Sequence, residues 1–369
     1  MKIPFGNLKR QYEKYKSELD MALQSVLDSG WFVLGKIVEK FEHEFAGYCG
    51  VDYAVGLGSG TEALHLALTA VGIGPGDEVI TAANTCIPTV SAISFCSATP
   101  VLTDVDPISF NMSIDDLIQK ITCRTKAIMP VHLYGQSADL DPILEIANTR
   151  GIPVIEDAAQ AHGTKYKGKR IGGISLLTCF SFYPSKNLAC FGDGGCVTTN
   201  SSFLAERLRL LRNYGQRQRF YHSIKGFNSR LDEMQAAILC AKLPHLEKWN
   251  TRRREIADMY KKDIHNQCVL HPTEMIYGRH VYHLYVIRVK NRKAFQSFLH
   301  GHGIETSIHY PVPVHLQECY IDLRNKKGDF PVTENLAEEI VSIPIYPELT
   351  NEEIKYVCQI INEFDPKKS

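Results

Sequence analysis

One lysine in the sequence lies among aromatic, apolar and glycine residues, a setting in which an amine becomes reactive. Lys186 falls in the run SFYPSKNL, and the glycine-rich FGDGG follows shortly after it. Few charges compete there, so loss of solvation lowers the pKa of the amine and leaves a useful fraction of it uncharged. An uncharged amine can form a Schiff base with an aldehyde. The alternative is an ordinary surface lysine in the turn after a strand.

A carboxylate and an amide follow the apolar residues of PVIEDAAQAHG. Asp157 ends that run, and a carboxylate at the mouth of a buried strand can keep a pyridinium nitrogen protonated, which makes the ring an electron sink. Gln160 can reach a ring hydroxyl, and we expect His162 to line the same opening. Acidic residues at strand ends also cap helices, and we assign that structural role to Glu156.

The segment GLGSGTEALHLAL predicts a strand that turns through glycines into a helix starting near Ser59. Free backbone N–H groups at this helix start, with the hydroxyls of Ser59 and Thr61, can bind a phosphate. The pattern lacks the full G-x-G-x-x-G fingerprint and a Walker lysine, so its glycines could also serve only the turn. An aldehyde-binding lysine, a pyridinium partner and a phosphate site are together what pyridoxal 5'-phosphate requires.

Many ordered segments of the chain resemble the DegT/DnrJ/EryC1/StrS family of pyridoxal-phosphate-dependent nucleotide-sugar aminotransferases. The matching segments span nearly the whole chain and are GSGTEALHLAL, GIGPGDEVIT, TKAIMPVHLYGQ, PVIEDAAQAHG, SFYPSKNL, GDGG, FNSRLDEMQAAIL, VYHLYVIRV, IHYPVPVHLQ and SIPIYPEL. By this resemblance Lys186 is the Schiff-base lysine, Asp157 the partner of the pyridine nitrogen and Gln160 the contact of the ring hydroxyl. The resemblance also implies phosphate contacts, the last of them from the neighbouring subunit of a homodimer: Ser59, Gly60, Thr61, Ser181 and Asn228.

Two comparisons with the family pattern bear on the chemistry. Where many members have an aromatic residue that stacks on the cofactor ring, this chain has Cys86, in NTCIPT. A thiol has no ring to stack, so we expect Cys86 and Ile87 to cover the outer face of the cofactor. Relatives that dehydrate sugars carry histidine in place of the lysine, and the presence of Lys186 therefore favours amino transfer.

Composition excludes several other classes of function. The chain has 369 residues, with 41 Lys plus Arg and 41 Asp plus Glu, so no net charge attracts nucleic acid or membrane. The 11 cysteines are scattered without C-x-x-C pairs, which argues against a disulfide framework or a metal site and favours a reducing compartment. The N-terminus is too polar for a signal peptide, and no apolar run reaches the roughly 20 residues of a membrane span. We expect a cytoplasmic protein.

Short apolar runs alternate with helix-like segments and predict an α/β fold. Seven of these runs predict the strands of a mostly parallel sheet, near Ala54, Val79, Val101, Ile128, Val154, Phe180 and Val197. The resemblance implies an aspartate-aminotransferase-like (fold type I) large domain, which we assign to residues 1–248. Beyond Trp249, VYHLYVIRV predicts a strand, KAFQSFLHGHG a helix and TSIHYPVP a strand and turn. Residues 249–369 are therefore expected to form a small C-terminal α+β domain.

A basic and aromatic segment follows the predicted sheet. Residues 207–230 hold seven basic residues and no acidic one, with four aromatic residues interleaved. Arg207 and Arg209 are expected on a solvated helix face. The part beyond Tyr214 reads as a loop suited to a pyrophosphate and a stacked base, and the resemblance places it at the dimer interface with Arg219 near the pyrophosphate. Single-stranded nucleic acid would also suit such a loop, but the neutral chain disfavours it.

Histidines and tyrosines of the C-terminal half complete the expected site. His309 and Tyr310, in IHYPVPVHLQ, match the position at which family members contact the nucleotide sugar, with Tyr183 opposite. We expect His315 to be a polar surface residue. The pair in HGH, residues 300–302, is expected at a helix C-terminus rather than at a metal, because cationic side chains favour that end of the helix dipole.

The combined expectation is transfer of an amino group from L-glutamate to C3 of a dTDP-linked 3-keto-6-deoxyhexose. In that reaction Lys186 first holds the cofactor and then moves protons, while Asp157 keeps the ring nitrogen protonated. A 4-keto sugar, a UDP-linked N-acetyl sugar or a cyclitol are alternatives within the family. Two alternatives belong to other classes: a non-catalytic, cofactor-binding regulatory protein, and a nicotinamide oxidoreductase that binds its cofactor at the GLGSGT turn.

Overall fold

The computed structural model describes residues 1–367. Lys368 and Ser369, the last two residues of the predicted C-terminal domain, lie outside the described residues. The α-helices are α1 (Leu8–Ser29), α2 (Lys36–Cys49), α3 (Gly60–Ala70), α4 (Ile87–Phe95), α5 (Ile114–Lys120), α6 (Leu140–Arg150), α7 (Ser202–Leu211), α8 (Glu233–Lys242), α9 (Leu246–Asp263), α10 (Arg292–Gly301), α11 (Pro331–Glu339) and α12 (Asn351–Glu363). Short 3-10 helices lie at Leu133–Gly135, Leu243–His245, Val314–Leu316 and Glu318–Leu323.

Strands form at or beside all seven predicted places, and others follow in the loops and the C-terminal part. The strands are β1 (Tyr53–Leu57), β2 (Glu78–Ala82), β3 (Thr99–Thr103), β4 (Thr125–Met129), β5 (Ile155–Asp157), β6 (Lys165–Tyr166), β7 (Lys169–Arg170), β8 (Leu177–Ser181), β9 (Gly195–Thr199), β10 (Gln216–Gln218), β11 (Tyr221–His222), β12 (Gly278–Arg279), β13 (Tyr285–Arg288) and β14 (Ile340–Ile343). Together with the helices they confirm an α/β fold.

The seven predicted strands are paired as two sheets. One has the order β1-β9-β8-β5 and the other the order β3-β2-β4. Isolated parallel bridges, Ile128 with Val154 and Val131 with Asp157, connect the β4 region to the β5 region. Pairs β5–β8, β2–β3 and β2–β4 are parallel, whereas β9 runs antiparallel to both β1 and β8. The carboxyl ends of β5 and β8 therefore lie side by side, and they carry Asp157 and Ser181.

The four-stranded sheet is covered by helices on both faces, as the continuous apolar strands require. Val55 and Leu57 of β1 pack with α3 and α7 in one core, whereas the intervening Ala54 packs with α2 in another. Alternate residues of a strand point to opposite faces, which explains this division. The sheet is thus a rigid, buried platform for the residues at its strand ends.

The C-terminal part has its own core. The antiparallel pair β13–β14 packs with α9, α10 and α12 around Tyr260, Phe295 and Ile361. Of the strand and turn predicted over 306–313, the strand is wrong, because the segment makes only a single antiparallel bridge, from Ser307 to Ser342. Pro311 and Pro313 lack the N–H group that a continuing strand needs. None of the described helices has both the length and the apolar character needed to cross a membrane.

Candidate active site

The start of α3 forms a polar cradle against the ends of β8 and β9. Ser59 is the N-cap, and its hydroxyl accepts a hydrogen bond from the Glu62 N–H at 3.2 Å. A Cβ on Gly60 would lie 2.5 Å from the Ser181 Cβ, and a Cβ on Gly195 would lie 2.2 Å from the Ser59 carbonyl oxygen. Only glycine permits these approaches. The free N–H groups and positive dipole end of α3 are thereby held open beside Ser181.

Asp157 is a buried carboxylate that is held from two sides. Its Oδ2 accepts a hydrogen bond from the Thr89 hydroxyl at 2.7 Å, and its Oδ1 accepts one from the Ala159 N–H at 3.1 Å. The Thr89 oxygen lies 2.8 Å from the Thr85 oxygen. Since Thr89 gives its proton to the carboxylate, Thr85 must donate to Thr89. This chain of hydroxyls fixes the carboxylate in one orientation while lone pairs remain for one further donor.

Lys186 lies in the turn after β8, where its backbone N–H donates to the Tyr183 carbonyl at 2.8 Å. Burial of the amine lowers the pKa of Lys186, although the nearby Cys86 and Asp157 act to raise it. An amine with a lowered pKa is a better nucleophile at neutral pH, so the structure supports the reactivity expected from the sequence.

Gln160, Tyr310 and Cys86 form a connected polar group opposite the cradle. The Gln160 Oε1 accepts from the Tyr134 N–H at 2.6 Å, and its Nε2 donates to the Tyr310 hydroxyl at 3.1 Å. The Tyr310 hydroxyl also lies beside the Cys86 thiol. Burial raises the pKa of both Cys86 and Tyr310, which keeps both groups neutral. Cys86 occupies the position at which many family members have an aromatic residue. Here the aromatic side chain of Tyr310 lies next to the thiol.

These groups line one cavity of about 350 Å³. Most of the predicted site residues surround it, namely Ser59, Gly60, Thr61, Cys86, Asp157, Gln160, Ser181, Tyr183, Lys186, His309 and Tyr310. Thr85, Thr89, Ser185, Asp193 and His283 complete the polar part of the lining. The structure thus brings together residues that are distant in the chain, from Ser59 to Tyr310.

Two predicted site residues lie away from this cavity. Arg219 is exposed in the turn between β10 and β11, where its guanidinium lies 5.1 Å from the centre of the Phe220 ring. Asn228 is also exposed, and its backbone forms an isolated bridge with Asn213. Neither side chain lines the cavity of its own chain. Their assigned roles stay predictions that need a second chain.

The helix-capping role expected for Glu156 is wrong. Its carboxylate is fully buried and lies 2.7 Å from the His132 Nε2, and it also accepts from the Ser175 N–H and the Thr178 hydroxyl. The Ala138 N–H donates to the His132 Nδ1, so the His132 proton is on Nε2 and points at Glu156. Glu156 braces the strand beneath Asp157 and does not reach the cavity.

Two histidines also lie elsewhere than expected. His162 does not line the cavity, because its ring is fully buried against Phe180 and Phe182, at 5.4 and 5.7 Å between ring centres. His315 is not a surface residue: it is buried, with its Nε2 3.0 Å from the Glu334 Oε1. Both are packed by segments distant in sequence, which a local pattern does not reveal.

Thr89 and His283 were not among the predicted site residues, yet both line the cavity. Thr89 is four residues after Thr85 in NTCIPT, a spacing that places two hydroxyls on one face of a helix start. His283 is the polar residue inside the apolar run VYHLYVIRV. A single histidine within an apolar run that predicts a strand is the sequence feature that could have identified His283 as a site residue.

The residues present fit pyridoxal 5'-phosphate. The cradle of Ser59, Gly60 and Ser181 suits its phosphate, because glycine at positions 60 and 195 lets the start of α3 lie directly against Ser181. Lys186 suits its aldehyde, and the unfilled acceptor capacity of Asp157 suits its ring nitrogen. Gln160 has a second amide hydrogen available for its ring hydroxyl.

Comparison with known proteins agrees with this geometry. The model of the DegT/DnrJ/EryC1/StrS aminotransferase family matches residues 13–362. A transaminase of Aneurinibacillus thermoaerophilus named for dTDP-3-amino-3,6-dideoxy-alpha-D-galactopyranose is 48% identical, over 98% of this chain and 99% of the relative. A pleiotropic regulatory protein of Geobacillus stearothermophilus is 44% identical, over 99% of both chains.

A solved structure is also very similar. The crystal structure of S. venezuelae DesV in complex with a ketimine intermediate is 46% identical to this chain, with a TM-score of 0.97 over 98% of each chain. Aminotransferases of the matched family depend on pyridoxal phosphate, in agreement with the donors that line the cavity. The architecture is that of the fold type I aminotransferases. The chain therefore belongs to the DegT/DnrJ/EryC1/StrS aminotransferase family.

Proposed function

We propose that this protein transfers an amino group from L-glutamate to C3 of a dTDP-linked 3-keto-6-deoxyhexose. The observation that carries the proposal is the single cavity in which Lys186, Asp157 and the Ser59 cradle meet. The sugar and its carbon are supported by the 48% identical relative, whose name specifies a dTDP-linked 3-amino-3,6-dideoxy sugar. The product would be a dTDP-3-amino-3,6-dideoxyhexose.

The cofactor supplies an aldehyde and an electron-withdrawing ring that makes the proton on an amino-acid Cα acidic. Lys186 would hold the cofactor through its aldehyde group. Its free amine would then take the proton from the Cα of the donor amino acid and give a proton back later in the transfer. Asp157, oriented by Thr89, holds the proton on the ring nitrogen. Tyr310 and Cys86 line the cavity and would limit the access of water to a bound cofactor.

We assign the remaining cavity residues by the group they face. Ser59, Gly60, Thr61 and Ser181 bind the phosphate of the cofactor, and Gln160 binds its ring hydroxyl. Tyr183 is the most exposed aromatic residue of the lining, which suits contact with an incoming sugar nucleotide. His309 and Tyr310 face the same space from the C-terminal part, and we assign them to the sugar as well.

We further propose a homodimer with shared active sites. Arg219 and Asn228 lie in an exposed segment whose aromatic side chains, Phe220, Tyr221 and Phe227, are also exposed. Exposed aromatic side chains grouped in one segment are typical of an interface. In the dimer Asn228 would reach the phosphate of the partner's cofactor and Arg219 the pyrophosphate of the partner's substrate.

The division into domains 1–248 and 249–369 is also part of the proposal. It is supported by the separate C-terminal core around Tyr260, Phe295 and Ile361. We likewise propose that the two sheets act as one mostly parallel, seven-stranded sheet, with the bridges beside β5 as its weak joint. The scattered cysteines support a cytoplasmic location.

The decisive experiment is product analysis by NMR after incubation with L-glutamate and either a 3-keto or a 4-keto dTDP-6-deoxyhexose. We expect amination at C3 of the nucleotide sugar and little use of the free sugar, because the remote nucleotide supplies binding energy. Amination only at C4, or of a UDP-linked N-acetyl sugar or a cyclitol in the same panel, would replace the substrate and leave the reaction type standing.

A regulatory protein without catalysis is the second candidate, and the 44% identical pleiotropic regulatory protein favours it. Borohydride reduction of the cofactor-loaded protein, followed by peptide mapping, tests the common step. Both candidates predict label on Lys186, but only the enzyme candidate predicts formation of an aminated product. Label on Lys165 or Lys169 would show that the site itself is misassigned.

A further inference from the structure

A chain of amide groups determines which ring nitrogen of His283 carries a proton. The Asn250 Nδ2 donates to the His162 carbonyl at 2.8 Å, which leaves the Asn250 Oδ1 as an acceptor. That oxygen accepts from the Asn187 Nδ2, also at 2.8 Å. The Asn187 Oδ1 must then face the His283 Nδ1, which lies 3.1 Å away. Because an amide oxygen only accepts, Nδ1 carries the proton.

The other ring nitrogen of His283, Nε2, therefore has a lone pair and no proton. Within residues 1–367 it has no hydrogen-bond partner, and His283 lines the candidate active site. Burial keeps the ring neutral, and the surrounding positive or titratable groups act in the same direction: Lys186, Arg253, His309 and His162 hold the pKa of His283 well below its ordinary value.

The amine of Lys186 is a donor in the same cavity as this lone pair. Lys186 and His283 both line the 350 Å³ cavity and also a second one of about 260 Å³ beside it. No hydrogen-bond partner of the Lys186 Nζ is found within residues 1–367, whereas His309 and Tyr310, which line the same cavity, are engaged. The His309 Nδ1 lies 2.8 Å from the Ser342 Oγ, and the Tyr310 hydroxyl is used by its own neighbours.

We propose that His283 is a positioning residue for Lys186, with its Nε2 accepting a hydrogen bond from the lysine amine whenever that amine is free. The bond would orient the amine toward the atom from which it takes a proton. An acceptor at this place also disfavours a substrate carboxylate there, because two lone pairs repel. The inference rests on the proposed function for the role of Lys186, and it deepens that function.

Three variants separate the hydrogen bond from the packing. His283→Asn places an amide donor near the position of Nδ1 and leaves nothing at Nε2. His283→Gln can place an amide oxygen near Nε2. His283→Phe keeps the ring volume without any acceptor and serves as the second test variant if the Asn variant does not fold, which near-ultraviolet circular dichroism would show.

The pKa of Lys186 can be measured in cofactor-free protein by competitive labelling with acetic anhydride at a series of pH values, with peptide quantification. An acceptor stabilises the charged amine, so we expect the pKa to fall by about one in the Asn and Phe variants. The Gln variant should stay near the wild-type value. Lys242 is the internal control: it donates to the Ala189 carbonyl, burial lowers its pKa to about 8, and it should not change.

Turnover gives an independent readout in the loaded enzyme. The Asn variant should lose about tenfold in kcat with little change in KM for the nucleotide sugar, and the Gln variant should recover most of that loss. An unchanged Lys186 pKa in the Asn variant overturns the proposal, as does an equal fall in Asn and Gln variants. Because the labelling uses no substrate or cofactor, its result stands whether or not the proposed reaction is observed.

Discussion

The hydroxyl of Thr89 donates to the Oδ2 of Asp157 across 2.7 Å, and both groups are buried. This bond joins the start of α4 to the end of β5, two elements that are 68 residues apart at these positions. Thr85 donates to Thr89 from behind, so the carboxylate is oriented by a chain of two hydroxyls. Asp157 therefore reaches the cavity already aligned.

Replacing Thr89 with valine should lower kcat about tenfold, because the carboxylate loses one of its two fixed donors and can rotate. Thr89→Ser keeps the hydroxyl and should stay within about twofold of the wild type. Steady-state kinetics at saturating cofactor measures both. Cofactor affinity, followed by fluorescence titration, should change less than kcat because the phosphate cradle is intact. A valine variant with wild-type kcat would contradict the positioning role.

The buried pair of Glu156 and His132 predicts a pH-dependent stability. Burial acts to raise the pKa of Glu156, but hydrogen bonds, with that from His132 the largest, outweigh it and hold the pKa below its ordinary value. A carboxyl group whose pKa is lowered by folding stabilises the fold at pH values above its ordinary pKa. This contribution is lost as the pH falls through the lower pKa of the folded protein.

Glu156→Gln should therefore lower the free energy of unfolding by about 2 kcal/mol at pH 7, and the difference should shrink as the pH approaches the depressed pKa. Urea unfolding of both proteins at pH 7 and at several pH values below the ordinary pKa of a glutamate carboxyl measures this. A difference that grows toward low pH would have the wrong sign for the proposed cause.

Arg219→Ala should raise KM for the nucleotide sugar about tenfold and leave the half-reaction with L-glutamate nearly unchanged, since only the first carries a pyrophosphate. Arg217→Ala is a matched control on the same hairpin, because Arg217 is exposed and makes only a weak contact with Glu206 at 3.5 Å. Equal effects of the two substitutions would point to a general loss of positive charge.

Shared active sites predict complementation between inactive chains. Mixing Lys186→Ala with Asn228→Ala chains under conditions of subunit exchange should restore activity, because one site of each heterodimer regains both residues. Lys186→Ala mixed with Asp157→Ala is the matched control: those residues line one cavity of one chain, so no heterodimer site is complete. Recovery in the control pair, or none in verified heterodimers of the first pair, would exclude the arrangement.

Local sequence patterns predicted the elements that hold the site. Ser59 caps α3 as expected, because a serine after glycines and before an apolar helix is a local signal. The strand that ends at Asp157 was likewise visible as an apolar run. Motifs placed Lys186 and Gln160 at the same cavity, since the carboxyl ends of neighbouring strands converge.

Local sequence patterns did not reveal contacts between residues that are distant in sequence. Glu156 is hydrogen-bonded to His132 and His315 to Glu334, and tertiary packing brings both pairs together. The tautomer of His283 depends on two asparagine amides, one beside Lys186 and one on α9. Polar residues at these positions look alike in sequence, and only their buried neighbours determine what they do.

The helix α9 has a mechanical consequence. The proposed domain boundary at Trp249 falls inside this helix and not in a linker. Asn250 joins the helix to Asn187, the neighbour of Lys186, while the Arg253 Nη1 donates to three carbonyl groups of the C-terminal part. Because a helix moves as a rigid element, a movement of the C-terminal part toward a bound substrate would also displace the amine of Lys186.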